Sequence, residues 1–330
     1  MGGKQSFPRV TLSTDRVVLI TGGNQGIGYH TAKWIAMMGA KVIIACRSEE
    51  KATEAIKRMN TEFLEEKAKG KESVSDLEEL NVSFMRLDNS SLKSVMTLVD
   101  EFKATGLKLH TLICNAGIGV HKQEYTEDGN EYLFQVNYLS HFLLTAHLLP
   151  IMKTSGPDCR VILVSSIAHR VVSFRLDEIQ GKQFTESTFD GLTFYNRSKL
   201  YQIMQMFSMN RRLADSNVTV TSLHPGVVET GLLTTFERGF TGAGLRILRG
   251  VGGSKTSFEG AWTTINAAIN PKLEGVRDVY FSDSKPSTVS GQARNKRDQK
   301  KLWTYTLECL KDYLSDDIIK SLEGNHTETS

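Results

Sequence analysis

The sequence predicts an α/β fold, a doubly wound parallel sheet of seven strands with helices on both faces. Seven short apolar, β-branched runs recur along its 330 residues. Segments long enough for a crossover helix separate most of them, and a glycine-rich turn follows the first. The runs are 17–21, 41–46, 82–87, 111–114, 161–164, 218–223 and 279–281. The helical segments between them are 26–38, 49–69, 92–105, 131–152, 194–214 and 258–268. Continuously apolar runs suit strands buried on both faces, as those of a parallel sheet are. No Pro- or Ser-rich linker breaks the pattern and no internal repeat occurs. Residues 15–330 therefore read as one domain behind a flexible leader, 1–14. Residues 67–79 lengthen the second crossover as a charged, solvated excursion. Residues 231–256 mix Gly and basic residues with large apolar ones after the sixth strand, where a substrate lid is expected. Residues 292–330 read as a helical extension, with Trp303, Tyr305 and Leu307 packing back on the domain.

Composition excludes several classes. Lys plus Arg number 40 against 37 Asp plus Glu, a net charge of +3, and the charges interleave. This gives no grounds for nucleic acid as a partner. Cys46, Cys114, Cys159 and Cys309 are widely spaced with no CxxC pair, so reduced core thiols are expected and no metal site. No stretch approaches the roughly 18 to 20 apolar residues that span a bilayer. The N-terminal residues carry no signal-peptide hydrophobic region, so a cytoplasmic chain is expected. Met1-Gly2-Gly3-Lys4-Gln5-Ser6 fits the N-myristoylation pattern at Gly2. One acyl chain gives only reversible, peripheral membrane contact; an unmodified leader is the plain alternative.

The first strand runs into Thr21-Gly22-Gly23-Asn24-Gln25-Gly26-Ile27-Gly28, and a helix follows. A pyrophosphate site needs a tight turn whose backbone approaches the ligand while the free N–H groups of a helix N-terminus point at it. Gly22 can take a positive φ, and Gly26 and Gly28 remove Cβ atoms where phosphate and helix packing crowd the chain. The second strand ends at Cys46-Arg47-Ser48, where a site for NAD(H) usually carries an acid for the ribose 2′-OH. Arg47 and Ser48 suit a 2′-phosphate instead, so NADP(H) is favoured over NAD(H). Asp88, after the third strand, is expected near the adenine or as a cap of the next helix.

Tyr195-Asn196-Arg197-Ser198-Lys199 opens a helix, so Tyr195 and Lys199 project from one face. A free phenol, with a pKa of about 10, is too weak an acid for proton transfer at neutral pH. A neighbouring ammonium favours the phenolate and lowers that value. Ser166 ends the fifth strand, and strand C-termini are where this architecture places ligands.

With these residues the chain resembles the short-chain dehydrogenases/reductases, Rossmann-type enzymes, and among them the branch of the retinol dehydrogenases. The resemblance rests on Thr21 to Gly28, Asn115-Ala116-Gly117 after the fourth strand, Asn137, Ser166, Tyr195 with Lys199, and Pro225-Gly226. The branch rests on Ala45-Cys46-Arg47, the stretch Asn137-Tyr138-Leu139-Ser140-His141-Phe142, and His224-Pro225-Gly226-Val227-Val228. It implies that Tyr195 exchanges the proton and that Lys199 lowers its pKa and bonds the nicotinamide ribose. Ser166, the second serine of its pair with Ser165, polarises the substrate oxygen, and Asn137 anchors a water leading from Lys199 to solvent. Asn115, with Ala116 and Gly117, supports the adenosine pocket; Pro225, Gly226, Val228 and Thr230 border the nicotinamide. Cys114 stands where the family commonly has Asn, and the branch's hydrophobic N-terminal anchor is not found.

The implied activity is an NADP(H)-dependent oxidoreductase interconverting alcohol and carbonyl on a hydrophobic alcohol, aldehyde or ketone. Retinoids, steroids, fatty aldehydes and polyisoprenoids are the substrate class. A homodimer pairing helices 131–152 and 194–214 is also implied. The rival reading is a scaffold or signalling protein that binds NADP on the same fold; a sugar-nucleotide epimerase fits the glycine spacing poorly. His141, His147 and His169 read as packing residues, since no carboxylate completes a metal site.

Overall fold

Side-chain alternation decides the two faces of the sheet in the computed structural model, which describes residues 7–68, 77–228 and 255–323. In β1 (Val17–Thr21), Val17 and Leu19 enter the core on one face, and Val18 and Ile20 enter the core on the other. β2 (Lys41–Cys46), β4 (Thr111–Cys114) and β5 (Cys159–Val164) divide likewise. Ile43, Leu112 and Val161 join the first core; Ile44, Ile113 and Ile162 join the second. With both faces covered, apolar side chains are needed at successive positions, hence the unbroken runs in the sequence.

β3 (Val82–Arg86), β6 (Val218–His224) and β7 (Tyr280–Ser282) complete the expected seven strands. An eighth, β8 (Lys285–Ser287), extends the edge, giving the order β3-β2-β1-β4-β5-β6-β7-β8. β8 runs antiparallel to β7, so the sheet is mostly, not wholly, parallel. The hairpin turns through Asp283 and Ser284, both at positive φ (51° and 61°). Two successive positive-φ residues match the twist of the strands they join.

α1 (Gly26–Met37), α2 (Glu49–Ala68) and a later helix, Ser257–Ile269, cover one face. α3 (Leu92–Ala104) lies on the other. It is joined there by a helical run from α4 (Tyr132–Phe134) through a π turn (Gln135–Leu139) into α5 (Ser140–Ser155). The π turn places Asn137 at its centre, and such turns recur at functional sites. α6 (Gly191–Arg212) is buried at every residue from Phe194 to Asn210. With Ser257–Ile269 as α7, three C-terminal helices follow: α8 (Gly291–Arg294), α9 (Lys296–Cys309) and α10 (Asp316–Glu323). α9 and α10 wrap α5 and α6. The Trp303 ring lies 5.1 Å from Phe142, the Tyr138 hydroxyl is 2.8 Å from that of Thr306, and Tyr305 and Leu307 pack on the same core. The two helices implied as a subunit interface are thus covered by the chain's own C-terminal extension.

Of the leader, residues 7–14 are described. Phe7 is buried, 5.7 Å from the Trp34 ring, and the Leu12 amide donates to Met38 O at 2.7 Å. The Gly2 motif, most of the charged excursion (69–76) and of the expected lid (231–254), and Thr230 lie outside the described residues. Cys46, Cys114 and Cys159 are buried free thiols and Cys309 a half-buried one. Among the described residues no helix is long and apolar enough to cross a membrane.

Candidate active site

Each parallel strand delivers its C-terminal end to one edge of the sheet. There the chain order reverses between β1 and β4, opening a crevice. The glycine turn lines it. Gly22 and Gly26 sit at φ 67° and 56°. A Cβ on Gly28 would stand 2.1 Å from Gly22 O and 2.6 Å from Asn115 Nδ2. Gln25 caps α1 with extended backbone and no side-chain bond, and no acid occupies the first turn. The helix N–H groups therefore remain open to an anion, and this cradle fits a dinucleotide pyrophosphate.

Thr21 ties the crevice together. Its Oγ1 accepts the amides of Asn115 (3.0 Å) and Ala116 (2.9 Å) and meets His141 Nε2 at 2.9 Å. With those two acceptances the hydroxyl donates to His141, so the ring proton sits on Nδ1, 3.3 Å from Asn137 O. Burial pushes the His141 pKa down to about 4, keeping the ring neutral. The Asn115 amide donates to Thr21 O at 2.9 Å. Gly117 follows, with Asn137 Oδ1 and Lys199 Nζ 3.2 and 3.3 Å from where its Cβ would stand.

At the adenosine end, Arg47 is exposed at the tip of β2. Ser48 Oγ accepts the Lys51 amide at 3.2 Å at the start of α2. Asp88 accepts from the Ser90 amide and hydroxyl at 2.9 and 2.7 Å, in the turn before α3; the helix itself is capped by Ser91, whose Oγ accepts the Ser94 amide, so Asp88 is not its cap.

The two serines after β5 part company. Ser165 Oγ donates to Lys199 O at 2.7 Å, whereas Ser166 bonds the Tyr195 phenol and accepts the Ala168 amide at 3.2 Å. Lys199 Nζ donates to Val164 O at 3.0 Å and lies 5.9 Å from the Tyr195 ring centre. Burial raises the Tyr195 pKa to about 12, with only the Ser166 bond opposing, and drags Lys199 down to about 8. The expected lowering of the phenol by the amine is therefore reversed. Both groups are buried, and desolvation outweighs the interaction between them. The Asn137 amide is held by Ile118, accepting from its N–H at 2.9 Å and donating to its O at 3.1 Å, and it donates to Ser198 Oγ at 3.0 Å.

Phe194 and Leu133 are buried around Tyr195, with Ile118, Ala168, Phe184 and Phe189 against them, and Ile167 and Val171 are exposed beside Ser166. On the β6 side, Gly226 (φ 89°) donates its N–H to His224 Nδ1 at 3.1 Å. Val228 is buried and bridged to Lys255, which pairs with Asp283. The glycine turn, Asn115, Asn137, Ser166, Tyr195, Lys199 and Pro225-Gly226 all meet at this edge. Sequence reasoning missed Thr21, His141, His169 and Tyr280 as its supports, because their importance arises only from contacts between distant elements.

Lys199 carries a measurable consequence. Its pKa of about 8 lies below the ordinary 10.5, so the buried ammonium opposes folding. That opposition is full below pH 8 and fades as pH rises to 10.5. Lys199→Met is expected to melt above the parent at pH 7, with the gain shrinking at pH 10 in paired thermal melts. A gain that is flat or grows with pH would contradict it.

A short chain dehydrogenase family profile matches residues 16–176. Human polyprenol dehydrogenase is 36% identical over 300 residues, covering 89% of this chain and 84% of that protein. Human retinol dehydrogenase 14 is 38% identical over 289 residues, covering 87% and 84%. The WW domain-containing oxidoreductase of Gallus gallus is 35% identical over 315 residues, covering 91% and 69%. Among solved structures, a putative uncharacterized protein from Mycobacterium paratuberculosis aligns with a TM-score of 0.70 and 26% identity, covering 94% of this chain and 98% of that one.

Proposed function

Because the chain belongs to the short-chain dehydrogenase/reductase family, in the branch of the retinol dehydrogenases, we propose that it interconverts alcohol and carbonyl on a hydrophobic substrate with NADP(H). Membership makes it an alcohol/carbonyl oxidoreductase; the finer reading rests on its own residues. One observation carries that reading: the Ser166–Tyr195 bond, set in an apolar cluster at the crevice edge.

Nicotinamide, when bound, supplies or accepts the hydride. Ser166 holds the substrate oxygen, and Tyr195 gives its phenolic proton during reduction and takes one during oxidation. Lys199 bonds the nicotinamide ribose, and the Ser166 bond favours the phenolate. Asn137 Oδ1 and Lys199 Nζ, both close to the bare Cα of Gly117, support a water relay to solvent. Gly22, Asn24, Gln25, Gly26, Ile27 and Gly28 hold the pyrophosphate. Asp88, Asn115 and Ala116 border the adenosine, and Pro225, Gly226, Val228 and Thr230 border the nicotinamide.

The phenylalanines around Tyr195, with exposed Ile167 and Val171 at the entrance, support an apolar substrate: a retinoid, steroid, fatty aldehyde or polyisoprenoid. The same reading keeps the enzyme in the cytoplasm, in peripheral membrane contact through an acylated Gly2. A homodimer would have to form away from the faces that α9 and α10 cover.

The test is NADPH-dependent reduction of a panel of aldehydes. Retinal, a long-chain fatty aldehyde and a polyprenal are expected to turn over faster than a short polar aldehyde. NADPH binding with no oxidation by any of them would favour the scaffold reading. Arg47→Asp addresses the cofactor: losing charge-assisted bonds to a 2′-phosphate, worth about 1.5–3 kcal/mol, is expected to move the NADPH-to-NADH preference about 10- to 100-fold toward NADH. An unchanged ratio of kcat/KM values would remove Arg47 from the cofactor site.

A further inference from the structure

Ser166 is held by more than the phenol it bonds. One turn on, His169 is fully buried, its Nδ1 2.7 Å from Ser166 O and its Nε2 3.2 Å from the Ser290 amide nitrogen. A backbone amide can only donate, so Nε2 is the acceptor and Nδ1–H donates to Ser166 O. One neutral tautomer satisfies both partners, and burial favours that neutral ring. Ser290 itself caps α8, its Oγ 3.4 Å from the Ala293 amide.

The imidazole also ends a row of three rings. Tyr280 of β7 meets it edge-on, with centres 5.0 Å apart and planes at 68°. The other side of Tyr280 stacks on His224 at 5.7 Å and 27°, and His224 Nδ1 accepts the Gly226 amide. The row therefore joins the loop after β5, which carries Ser166, to the loop after β6.

We infer that His169 is a positioning residue: its Nδ1–H fixes the Ser166 carbonyl and so aims the hydroxyl at Tyr195, while its edge contact with Tyr280, which stacks on His224, sets the serine loop against the Gly226 turn. The inference rests on the reading of Ser166 and Tyr195 as the reacting pair. Ser166 has extended backbone (φ −145°, ψ 153°) and leads directly into the short helical turn Ile167–Val171. Ser166 O also accepts the His169 amide, a longer bond at 3.3 Å, so it is the 2.7 Å imidazole bond whose loss would let the peptide that follows rotate and swing the side chain off the phenol. Misplacements of this size commonly lower turnover about 100-fold without weakening binding.

Three variants test it. In His169→Asn the amide nitrogen takes the place of Nδ1 and still donates to Ser166 O. His169→Gln instead reaches toward Ser290, and His169→Leu offers neither bond. With NADPH and a long-chain aldehyde, kcat is expected to fall about 10- to 100-fold in the Leu and Gln variants, with KM and the NADPH dissociation constant within about threefold of the parent. His169→Asn is expected to recover at least about tenfold over Gln, although all three melt lower. If Leu yields no folded protein, the Asn-to-Gln comparison still decides. Equal loss in Asn and Gln, or a loss that follows melting temperature alone, would overturn the inference. Tyr195→Phe runs beside them: its retaining full activity would refute the reading of the pair, whereas failure of the His169 series alone would leave that reading standing.

Discussion

Replacing Gly28 with alanine is expected to abolish dinucleotide binding. Alanine in a helix interior is intrinsically favoured over glycine by about 1 kcal/mol, so an unconstrained site would gain stability. Here the added Cβ would stand 2.1 Å from Gly22 O and 2.6 Å from Asn115 Nδ2, and the nearest of these is backbone. Overpacking of this kind costs on the order of 1–3 kcal/mol even where neighbours can move, so the clash wins. The relief available is displacement of the Gly22 turn, which is the part of the chain proposed to face the pyrophosphate. A fluorescence titration should then show NADPH affinity at least about 100-fold weaker, and a thermal melt a lower midpoint. A variant that binds NADPH like the parent would mean that the turn is not the phosphate site.

Tyr195→Phe is expected to lower turnover about 1000-fold, the middle of the range for a lost general acid. Stability should change little, because a single buried hydrogen bond is worth roughly 0.5–1.5 kcal/mol. Cofactor affinity should hold, since the phenol is aimed at Ser166 and the phenylalanine cluster surrounds either ring. The pH dependence has a definite sign. With its pKa pushed up to about 12, Tyr195 stays protonated across the working range and is ready to donate during reduction. Oxidation needs the phenolate and so should quicken as pH rises. Lys199 loses its charge near pH 8, and any fall in reduction should begin there. Activity in Tyr195→Phe within about tenfold of the parent would assign the proton to another group.

The strands were legible because parallel strands covered on both faces must be apolar at successive positions, as Val17–Ile20 are. β8 was not, since Lys285-Pro286-Ser287 is polar, contains proline and turns through Asp283-Ser284 without the usual glycine. The glycine turn and the Tyr195–Lys199 spacing were legible because each lies within one local segment. The direction of the Tyr195 shift was not, since burial of both groups depends on α6 being enclosed between the sheet, α5 and the C-terminal helices. His141 and His169 looked like ordinary packing residues for a similar reason, and Thr21 was legible only as the first residue of the glycine motif. Their hydrogen bonds join β1 to α5 and the loop after β5 to Ser290, distances no local pattern records.

Stopped-flow mixing of NADPH-loaded enzyme with a long-chain aldehyde tests the central claim most directly, with the parent and Tyr195→Phe run side by side. The expected result is rapid NADPH oxidation in the parent and a bound, fluorescent but unoxidised cofactor in the variant. Oxidation at matching rates in the two proteins would contradict the account.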